Sequence, residues 1–398
     1  MPTNKQILIS GASIAGLTLA YWLARHGFQP TVIERAPGLR AGGNGVDLRD
    51  QAIEVAERMG IMEQVLAAAT DVQGMRFVNA AHHTVARIET QGDGGVEIMR
   101  GDLVAILHQA AGDDVDYIFS DSIRKLEQTG DGVTVTFEHG PARRFDLVIG
   151  ADGLHSTVRN LAFGPESQFL EHQDHYFAFA NADASLGEDR WVTMYNLPGK
   201  MAGIYRSGNH AQAKAYFMFR SERRISYDHR DIEEQKRLIG EAFAGETSWR
   251  IRDLLAGALA DPDFYFDALS QVRMASWSSG RVALVGDAAY CASPASGAGA
   301  ELALIGAYRL AGELAVAAGA HETAFQRYER SNRELVNKKQ QIGPNVHLMV
   351  PKTRAARWMR DALVRLPLMR VMAAVARLTQ SRNAEPLPSY LTTSIATG

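Results

Sequence analysis

The chain has 398 residues, enough for one large or two medium-sized domains. Its hydrophobic content of 46%, charged content of 22% and net charge of -3 are those of an ordinary globular protein without a nucleic-acid partner. The single cysteine, Cys291, cannot form an internal disulfide, and no Cys/His spacing suggests a metal site. We expect a cytoplasmic protein without membrane insertion, because no stretch reaches about 18 apolar residues and the N-terminus lacks a signal-peptide core.

The first motif begins close to the N-terminus. An apolar run of strand length over residues 5–10 precedes Gly11-Ala-Ser-Ile-Ala-Gly16. Residues 17–26 have a helical pattern, and residues 31–34 form the next predicted strand and end in an acidic residue. This order predicts a βαβ unit that binds a dinucleotide.

The physical reason lies in the backbone. Glycines let the chain turn sharply and approach a pyrophosphate, while the following helix points its N-terminal amides at the negative charge. Ser13 stands where the middle glycine of the pattern is usual, and serine is small enough for close approach. An ordinary tight turn is the alternative interpretation. The residues predicted to form this part of the site are Gly11, Ser13, Ala15, Gly16, Glu34 and Arg35.

Two later segments repeat the pattern of a buried strand that ends in glycine and an acid. One is Asp146-Leu-Val-Ile-Gly-Ala-Asp152-Gly153, which His155 to Arg159 follow. The other is residues 280–287, after which come several glycines and a predicted helix of small residues over 300–318. Three such strand ends can meet at one edge of a parallel sheet.

These motifs, in this order and rough spacing, resemble those of class A flavoprotein monooxygenases, the para-hydroxybenzoate-hydroxylase-like enzymes. The resemblance covers roughly residues 5–340. It implies that Asp287 binds the ribityl and pyrophosphate region of FAD and that the segment from Asp152 to Arg159 helps to hold FAD and is linked to NAD(P)H use. The residues that it places around the flavin are Gly286, Asp287, Pro294, Gly297, Ala298 and Gly299.

Two smaller matches support the same family. The turn at residues 42–48, with Gly45 and Asp47, resembles the flavin-flanking turn of the tetracycline-inactivating (TetX-like) branch. Arg100 matches an arginine that opens a helix near the ribose and phosphates, where its fork can bind oxyanions in two places. The alternatives are a loop carboxylate for Asp47 and a solvated helix start for Arg100. Glu301 departs from the family pattern and could make reduced, anionic flavin less favourable.

Residues 174–275 change in character. Short β-patterned runs, such as 176–179 and 213–219, predict an antiparallel sheet, which in this family roofs the flavin and binds substrate. The substrate-binding candidates on it are His175, Tyr205 and Arg206. Beyond residue 344, a basic amphipathic stretch predicts a helix that bridges the two domains, with a membrane or partner surface as the alternative.

The predicted fold is α/β (α+β), with a Rossmann-like FAD-binding domain, an antiparallel-sheet substrate domain and a C-terminal helix. The predicted boundaries are 1–173 with 276–343 for the FAD-binding domain, 174–275 for the substrate domain and 344–398 for the bridging helix and tail. We expect a monomer or a homodimer.

The resemblance implies a monooxygenase that takes FAD as cofactor and NADPH or NADH as cosubstrate. In that family O2 adds at flavin C4a, and the hydroperoxide hydroxylates an aromatic, enolic or polyketide-like molecule. No catalytic side chain is predicted, because the flavin carries the chemistry. The alternatives are a flavin-dependent dehydrogenase, oxidase or other flavoenzyme on the same fold and, from another class, a non-catalytic binding protein of the Rab-GDI type.

Overall fold

The computed structural model describes residues 3–40, 42–89, 94–341, 349–365 and 386–390. The strands in these ranges are β1 (Gln6–Ser10), β2 (Gln29–Glu34), β3 (Gly45–Leu48), β4 (Gly74–Val78), β5 (Thr84–Glu89), β6 (Val96–Met99), β7 (Asp116–Phe119), β8 (Ile123–Thr129), β9 (Gly132–Phe137), β10 (Arg143–Phe145), β11 (Leu147–Gly150), β12 (Leu170–Ala182), β13 (Trp191–Leu197), β14 (Lys200–Arg206), β15 (Ala213–Arg220), β16 (Tyr265–Val272), β17 (Ser278–Ser279) and β18 (Val282–Leu284). The helices are α1 (Ile14–Arg25), α2 (Gln51–Arg58), α3 (Met62–Ala67), α4 (Arg100–Ala111), α5 (Thr157–Phe163), α6 (Ile232–Ala242), α7 (Ile251–Ala260), α8 (Asp287–Tyr290), α9 (Gly299–Val316), α10 (His321–Gln340) and α11 (Arg354–Arg365).

The first large sheet has six strands in the order β17-β18-β11-β1-β2-β7. Its strands run parallel except for the β17–β18 pair. Ile7, Leu8 and Ile9 in β1 are fully buried, as expected for a strand covered on both faces. The turns after β1, β11 and β18 therefore meet at one edge of the sheet, as the three motifs predicted.

The second large sheet, called the substrate sheet below, has the order β16-β12-β15-β14-β13-β4-β5. Its neighbouring strands are antiparallel except for β13 and β4. One face carries Tyr176, Phe217 and Phe266 and is covered by α6 and α7. Because side chains alternate along a strand, Phe177 and Phe179 point to the opposite face, called the cleft face below.

The strands predicted within 174–275 are confirmed, but the substrate sheet extends beyond that range. β4 and β5 join it from residues 74–89, and β12 begins at Leu170. The join is a parallel pairing of β4 with β13, two segments that are far apart in the sequence. Local patterns reveal strands but not their long-range partners, so this pairing was not predicted.

The C-terminal part contacts both halves of the molecule. Arg357 in α11 donates a hydrogen bond of 2.8 Å to the backbone oxygen of Asn196 in β13. Further on, the carbonyl of Leu387 accepts a hydrogen bond from Arg58 in α2. The rest of the predicted bridging helix falls on residues 366–385, outside the described residues, so the bridge stays a prediction. None of the helices in the described ranges is long and apolar enough to cross a membrane.

Candidate cofactor site

The turn between β1 and α1 depends on two close approaches of the backbone. Gly11 has a φ of +108°, and a Cβ there would lie 2.6 Å from the carbonyl oxygen of Ala151. A Cβ on Gly16 would lie 1.9 Å from the carbonyl oxygen of Gly11. Any side chain at these positions would push β1, β11 and α1 apart, which explains the glycines of the motif.

Ser13 in this turn has a task of its own. Its hydroxyl does not cap α1 but accepts a 2.8 Å hydrogen bond from Nη2 of Arg100, the first residue of α4. Burial lowers the pKa of Arg100 and so does the positive charge of Arg40, whereas the charges of Asp287 and Glu34 raise it. The Arg100 guanidinium remains a cation, and it lies between the Gly11–Gly16 turn and the acidic residues Asp287 and Glu34.

Glu34 ends β2 beside the same turn. Its Oε2 accepts a hydrogen bond of 3.0 Å from the amide of Ala12, and its Oε1 accepts one of 3.0 Å from the amide of Ala36. A carboxylate has about four acceptor positions, so ribose hydroxyls can still bind the remaining ones. Arg35 is exposed next to it.

The glycines just before β3 and at its start lie against the beginning of α4 and the strand β6 that precedes it. Gly43 has a φ of +134°, and a Cβ there would lie 3.0 Å from the Cβ of Arg100. A Cβ on Gly45 would lie 2.4 Å from Oε1 of Glu97. These two glycines therefore permit close packing against Arg100 and Glu97.

Asp152 follows β11 and is used within its own loop. Its Oδ1 accepts a hydrogen bond of 2.5 Å from the Ser156 hydroxyl, and its Oδ2 accepts one of 3.1 Å from the amide of Val158. Burial raises the pKa of Asp152, although these hydrogen bonds oppose the rise. Asp152 thus organises the start of α5.

Asp287 follows the third strand end and is oriented differently. Its side chain is exposed, yet desolvation by the surrounding protein raises its pKa, while Cys291 and Arg100 lower it. We infer from this combination of exposure and desolvation that the Asp287 carboxylate lines a groove. Gly286 has a φ of +67°, and a Cβ there would lie 3.0 Å from the Cβ of Ala15 in α1, so the first and third motifs touch.

The segment from Pro294 to Gly299 closes the far end of this cleft. Gly297 is in the left-handed region with a φ of +66°, and a Cβ there would lie 3.9 Å from Oδ2 of Asp47. The amide of Ala298 donates to the Ser296 hydroxyl, and α9 begins at Gly299 without a side-chain cap. Below, "cofactor cleft" means the groove bounded by Gly11–Gly16, Arg100, Asp287 and Gly297–Gly299.

Glu301, the departure from the family pattern, lies in the first turn of α9 and is 4% exposed. Nζ of Lys339 in α10 pairs with its Oε2 at 2.6 Å. Burial raises the pKa of Glu301, and the Lys339 charge counteracts this. The partner cation reduces the repulsion that a lone glutamate would exert on negative charge in the cleft.

The cleft face of the substrate sheet lies opposite the Pro294 segment. Phe177 and Leu269 pack against Ala295, which joins the sheet to the end of the cleft. Phe179 stacks on Tyr265 with ring centroids 4.7 Å apart. An aromatic surface therefore continues from the cofactor cleft along the sheet.

The three substrate candidates are placed differently. Tyr205 lies on the cleft face, where its hydroxyl donates to Oε2 of Glu97 at 3.1 Å. Arg206 donates to the carbonyl of Gly187 at 3.1 Å, at the end of β14. His175 is fully buried, with Nδ1 2.6 Å from the carbonyl oxygen of Gln173, so it forms no part of the cleft surface.

Sequence reasoning missed one polar cluster where the two sheets meet. His155, after the second strand end, lies between Glu166 and Asp267 with nitrogen–oxygen distances of 3.0 and 3.1 Å. His155 belongs to the segment that the resemblance linked to FAD, but its partner on β16 carried no sequence signal.

The geometry fits FAD. The groove has a glycine cradle at one end that a Cβ would fill, a cation and an exposed carboxylate in the middle, and an uncapped helix start at the other end. Residues 4–342 match the family model described as FAD binding domain. The chain is also 40% identical over 350 residues to a flavin-dependent monooxygenase of Legionella longbeachae, covering 86% of this chain and 89% of that protein.

This chain belongs to the FAD-dependent monooxygenases. Among solved structures, the monooxygenase is similar to the tetracycline destructase Tet(55), with 37% identity, a TM-score of 0.82 and coverage of 98% of this chain and 100% of the other. Tet(51), another tetracycline destructase, gives 34% identity, a TM-score of 0.83 and coverage of 96% and 99%. The predicted class A family, FAD cofactor and enzymatic function are confirmed, and the GDI-like alternative is set aside.

Proposed function

We propose that this monooxygenase uses NAD(P)H and O2 to hydroxylate a planar phenol or enol with fused rings, of the chemical kind represented by tetracyclines. The observation that carries the proposal is the aromatic cleft face beside the end of the cofactor cleft. Flat rings pack well on such a surface, since offset stacked or edge-on aromatic contacts are favourable. The likeness to two tetracycline destructases supports the choice of a polycyclic substrate.

Each part of the cofactor cleft has a proposed task. The amides at the N-terminus of α1, from Ser13 to Gly16, and Arg100 hold the pyrophosphate, and Glu34 holds the adenosine ribose. Asp287 accepts hydrogen bonds from ribityl hydroxyls, and the amide of Gly299, where α9 begins, faces the pyrimidine edge of the flavin. Bound FAD supplies the oxygen chemistry, whereas the chain binds, orients and excludes water.

Asp47 and Pro294 complete this arrangement. Asp47 lies beside Gly297, and Pro294 begins the short turn that leads to it. In this proposal an electron-rich carbon of the substrate would lie on the cleft face next to the flavin. Neither NAD(P)H, the proposed hydride donor, nor O2 requires a second nucleotide-binding domain in this arrangement.

A substrate panel tests the proposal. Purified protein should release FAD, not FMN, on heating, and tetracycline or a simpler polycyclic phenol should accelerate NAD(P)H consumption. The product should be heavier than the substrate by about 16 mass units, the mass of one oxygen atom. The proposal is wrong if a panel of phenols, enols and tetracyclines yields no oxygenated product from the FAD-loaded protein.

A further inference from the structure

The cluster at His155 ties the FAD-binding part of the chain to the substrate sheet. Nδ1 of His155 lies 3.0 Å from Oε2 of Glu166, and Nε2 lies 3.1 Å from Oδ2 of Asp267. Arg159 also reaches Oε2 of Glu166 at 3.2 Å, and the His229 ring stacks on His155 at 4.2 Å. Charged groups from the loop after β11, from the residues after α5 and from β16 therefore meet here.

Asp267 is the centre of this cluster. It is 3% exposed and accepts hydrogen bonds from Tyr227 at 2.7 Å, from Tyr265 at 2.9 Å and from the amide of Ala268 at 2.8 Å. Burial would raise the pKa of Asp267, but the hydrogen bond and charge of His155, with the tyrosine hydrogen bonds, lower it. The carboxylate is thus ionised at neutral pH and acts only as an acceptor.

Tyr265 connects this carboxylate to the ligand side. Its register partner is Phe179, so its ring lies on the cleft face, and 37% of the residue is exposed there. Its ring centroid lies 5.7 Å from that of Phe177, which packs against Ala295 at the end of the cofactor cleft. Burial and the Asp267 charge hold the pKa of Tyr265 well above its usual value, so the residue stays a phenol.

The direction of the hydrogen bond decides what Tyr265 can offer. A phenol has a single proton, and here that proton is donated to Asp267. The oxygen therefore presents only lone pairs to its other neighbours. A ligand that meets this hydroxyl must bring a donor.

We propose that Tyr265 is a ligand-contacting residue that accepts a hydrogen bond from a hydroxyl group, and that Asp267 and His155 are positioning residues that fix this direction. The hydroxyl belongs either to the ribityl chain of the cofactor or to a phenolic or enolic substrate. The second source rests on the proposed function, whereas the first does not.

Two titrations distinguish these sources. In the cofactor arm, protein stripped of flavin is titrated with FAD, and in the substrate arm FAD-loaded protein is titrated with tetracycline and followed by flavin absorbance. Tyr265→Phe should weaken binding about 2- to 10-fold in one arm, the value of a single hydrogen bond. The arm that responds identifies the donor.

Tyr227→Phe is the matched control. Tyr227 donates to the same carboxylate, but its partly buried ring packs edge-on against Tyr176 and Phe266, on the face of the sheet away from the cleft. This variant should therefore leave both affinities unchanged, even where thermal unfolding shows reduced stability. Equal weakening in Tyr227→Phe and Tyr265→Phe would show that the cluster acts only through stability.

Asp267→Asn tests the positioning role. An amide NH2 facing Tyr265 would make the phenol an acceptor towards residue 267 and turn its proton towards the ligand. This variant should lose the same affinity as Tyr265→Phe, and the double variant should lose no more than either single one. In the wild type this affinity should stay level as the pH rises through the pKa of His155, because the Asp267 carboxylate stays ionised and keeps accepting the Tyr265 proton.

Unchanged affinities of Tyr265→Phe for both FAD and tetracycline would overturn the inference. Additive losses in the double variant would overturn the positioning role. If the wild type binds no tetracycline, the cofactor arm alone decides, and unchanged FAD affinity in Tyr265→Phe rejects the inference. Failure of the proposed function would appear separately, as FAD-loaded wild type that oxygenates no compound of the panel.

Discussion

Asp152 and Asp287 each follow a buried strand that ends at the same edge of the sheet. Both carboxylate oxygens of Asp152 accept hydrogen bonds, from the Ser156 hydroxyl and from the backbone of α5, whereas Asp287 is exposed in the cofactor cleft. Their sequence settings are nearly the same, and only the packing around them separates a loop-forming carboxylate from one that can meet a ligand. Substitution of Asp152 should therefore disturb its own loop, whereas substitution of Asp287 should affect ligand binding.

We expect Asp287→Ala to weaken FAD binding strongly. A ribityl hydroxyl left without its acceptor in a desolvated site costs about 1–3 kcal/mol, or roughly 5- to 150-fold in affinity. Titration of flavin-stripped protein measures this loss. Asp131→Ala, which removes an exposed partner of Arg144, is the control and should bind FAD normally. A variant at 287 that keeps its full flavin content through gel filtration contradicts the assignment.

Because of His155, the stability of the folded protein should decrease at alkaline pH. Burial would lower its pKa, but hydrogen bonds to Asp267 and Glu166, together with their charges, raise it to about 9. A pKa raised in the folded state adds stability that is complete below the ordinary value of 6.5 and is lost as the pH rises through 9. The urea midpoint of the wild type should fall between about pH 7 and pH 10.

The difference between the wild type and His155→Gln isolates this effect from other alkaline titrations. The stability gap between them should shrink as the pH rises through 9. His26→Gln is the control, because burial lowers the pKa of His26 and its charge is already lost at neutral pH. A gap that is constant from neutral to alkaline pH would show that His155 is not charged in the folded protein.

At the scale of elements, local sequence patterns were sufficient for the motif-bearing turns. The strand, glycine turn and helix around Gly11–Gly16 were predicted because periodicity and glycine placement are local signals. The pairing of β4 with β13 was not predicted, nor was the contact of His155 with Asp267, 112 residues away. Such contacts arise from tertiary packing, and a lone histidine or aspartate carries no sign of its partner.

Gly16 gives a test of how tightly the first turn is built. Gly16→Ala would place a Cβ 1.9 Å from the carbonyl oxygen of Gly11, so β1 and α1 must separate. We expect a loss of about 1–3 kcal/mol in the free energy of unfolding, together with weaker FAD binding. Gly257→Ala in α7 is the control, since a Cβ there meets nothing within 4 Å. Equal stability of the two variants would contradict the packing described for the turn.

At the scale of the whole molecule, the cofactor cleft lies between the parallel sheet and the substrate sheet, and its glycines play two roles. A Cβ on Gly43 or Gly45 would be in tight contact with Arg100 or Glu97, so these two glycines serve close packing. At Gly42 and Gly299 a Cβ would meet nothing within 4 Å, so these positions do leave open space. We propose that open space of this kind lets the flavin change position when substrate binds.

We therefore expect substrate to control flavin reduction. Without substrate, NAD(P)H consumption should be slow and should release hydrogen peroxide, because reduced flavin then reacts with O2 and has no acceptor for the oxygen. With a phenolic or enolic substrate on the cleft face, consumption should accelerate, peroxide should fall, and product should form. Stopped-flow absorbance, a peroxide assay and product mass measure the three quantities.

Isotope labelling decides where the added oxygen originates. Under labelled O2 the product should carry one heavy oxygen atom, whereas labelled water should leave the product unlabelled. Oxygen from water would mean that the chain hydroxylates by a different route, and a substrate consumed without any added oxygen would mean dehydrogenation.

A replacement at Gly299 tests the role of the open space at that position. If this space serves flavin movement, Gly299→Val should slow substrate-stimulated flavin reduction more than it weakens FAD binding. Equal loss in both would show that Gly299 matters only for holding the cofactor.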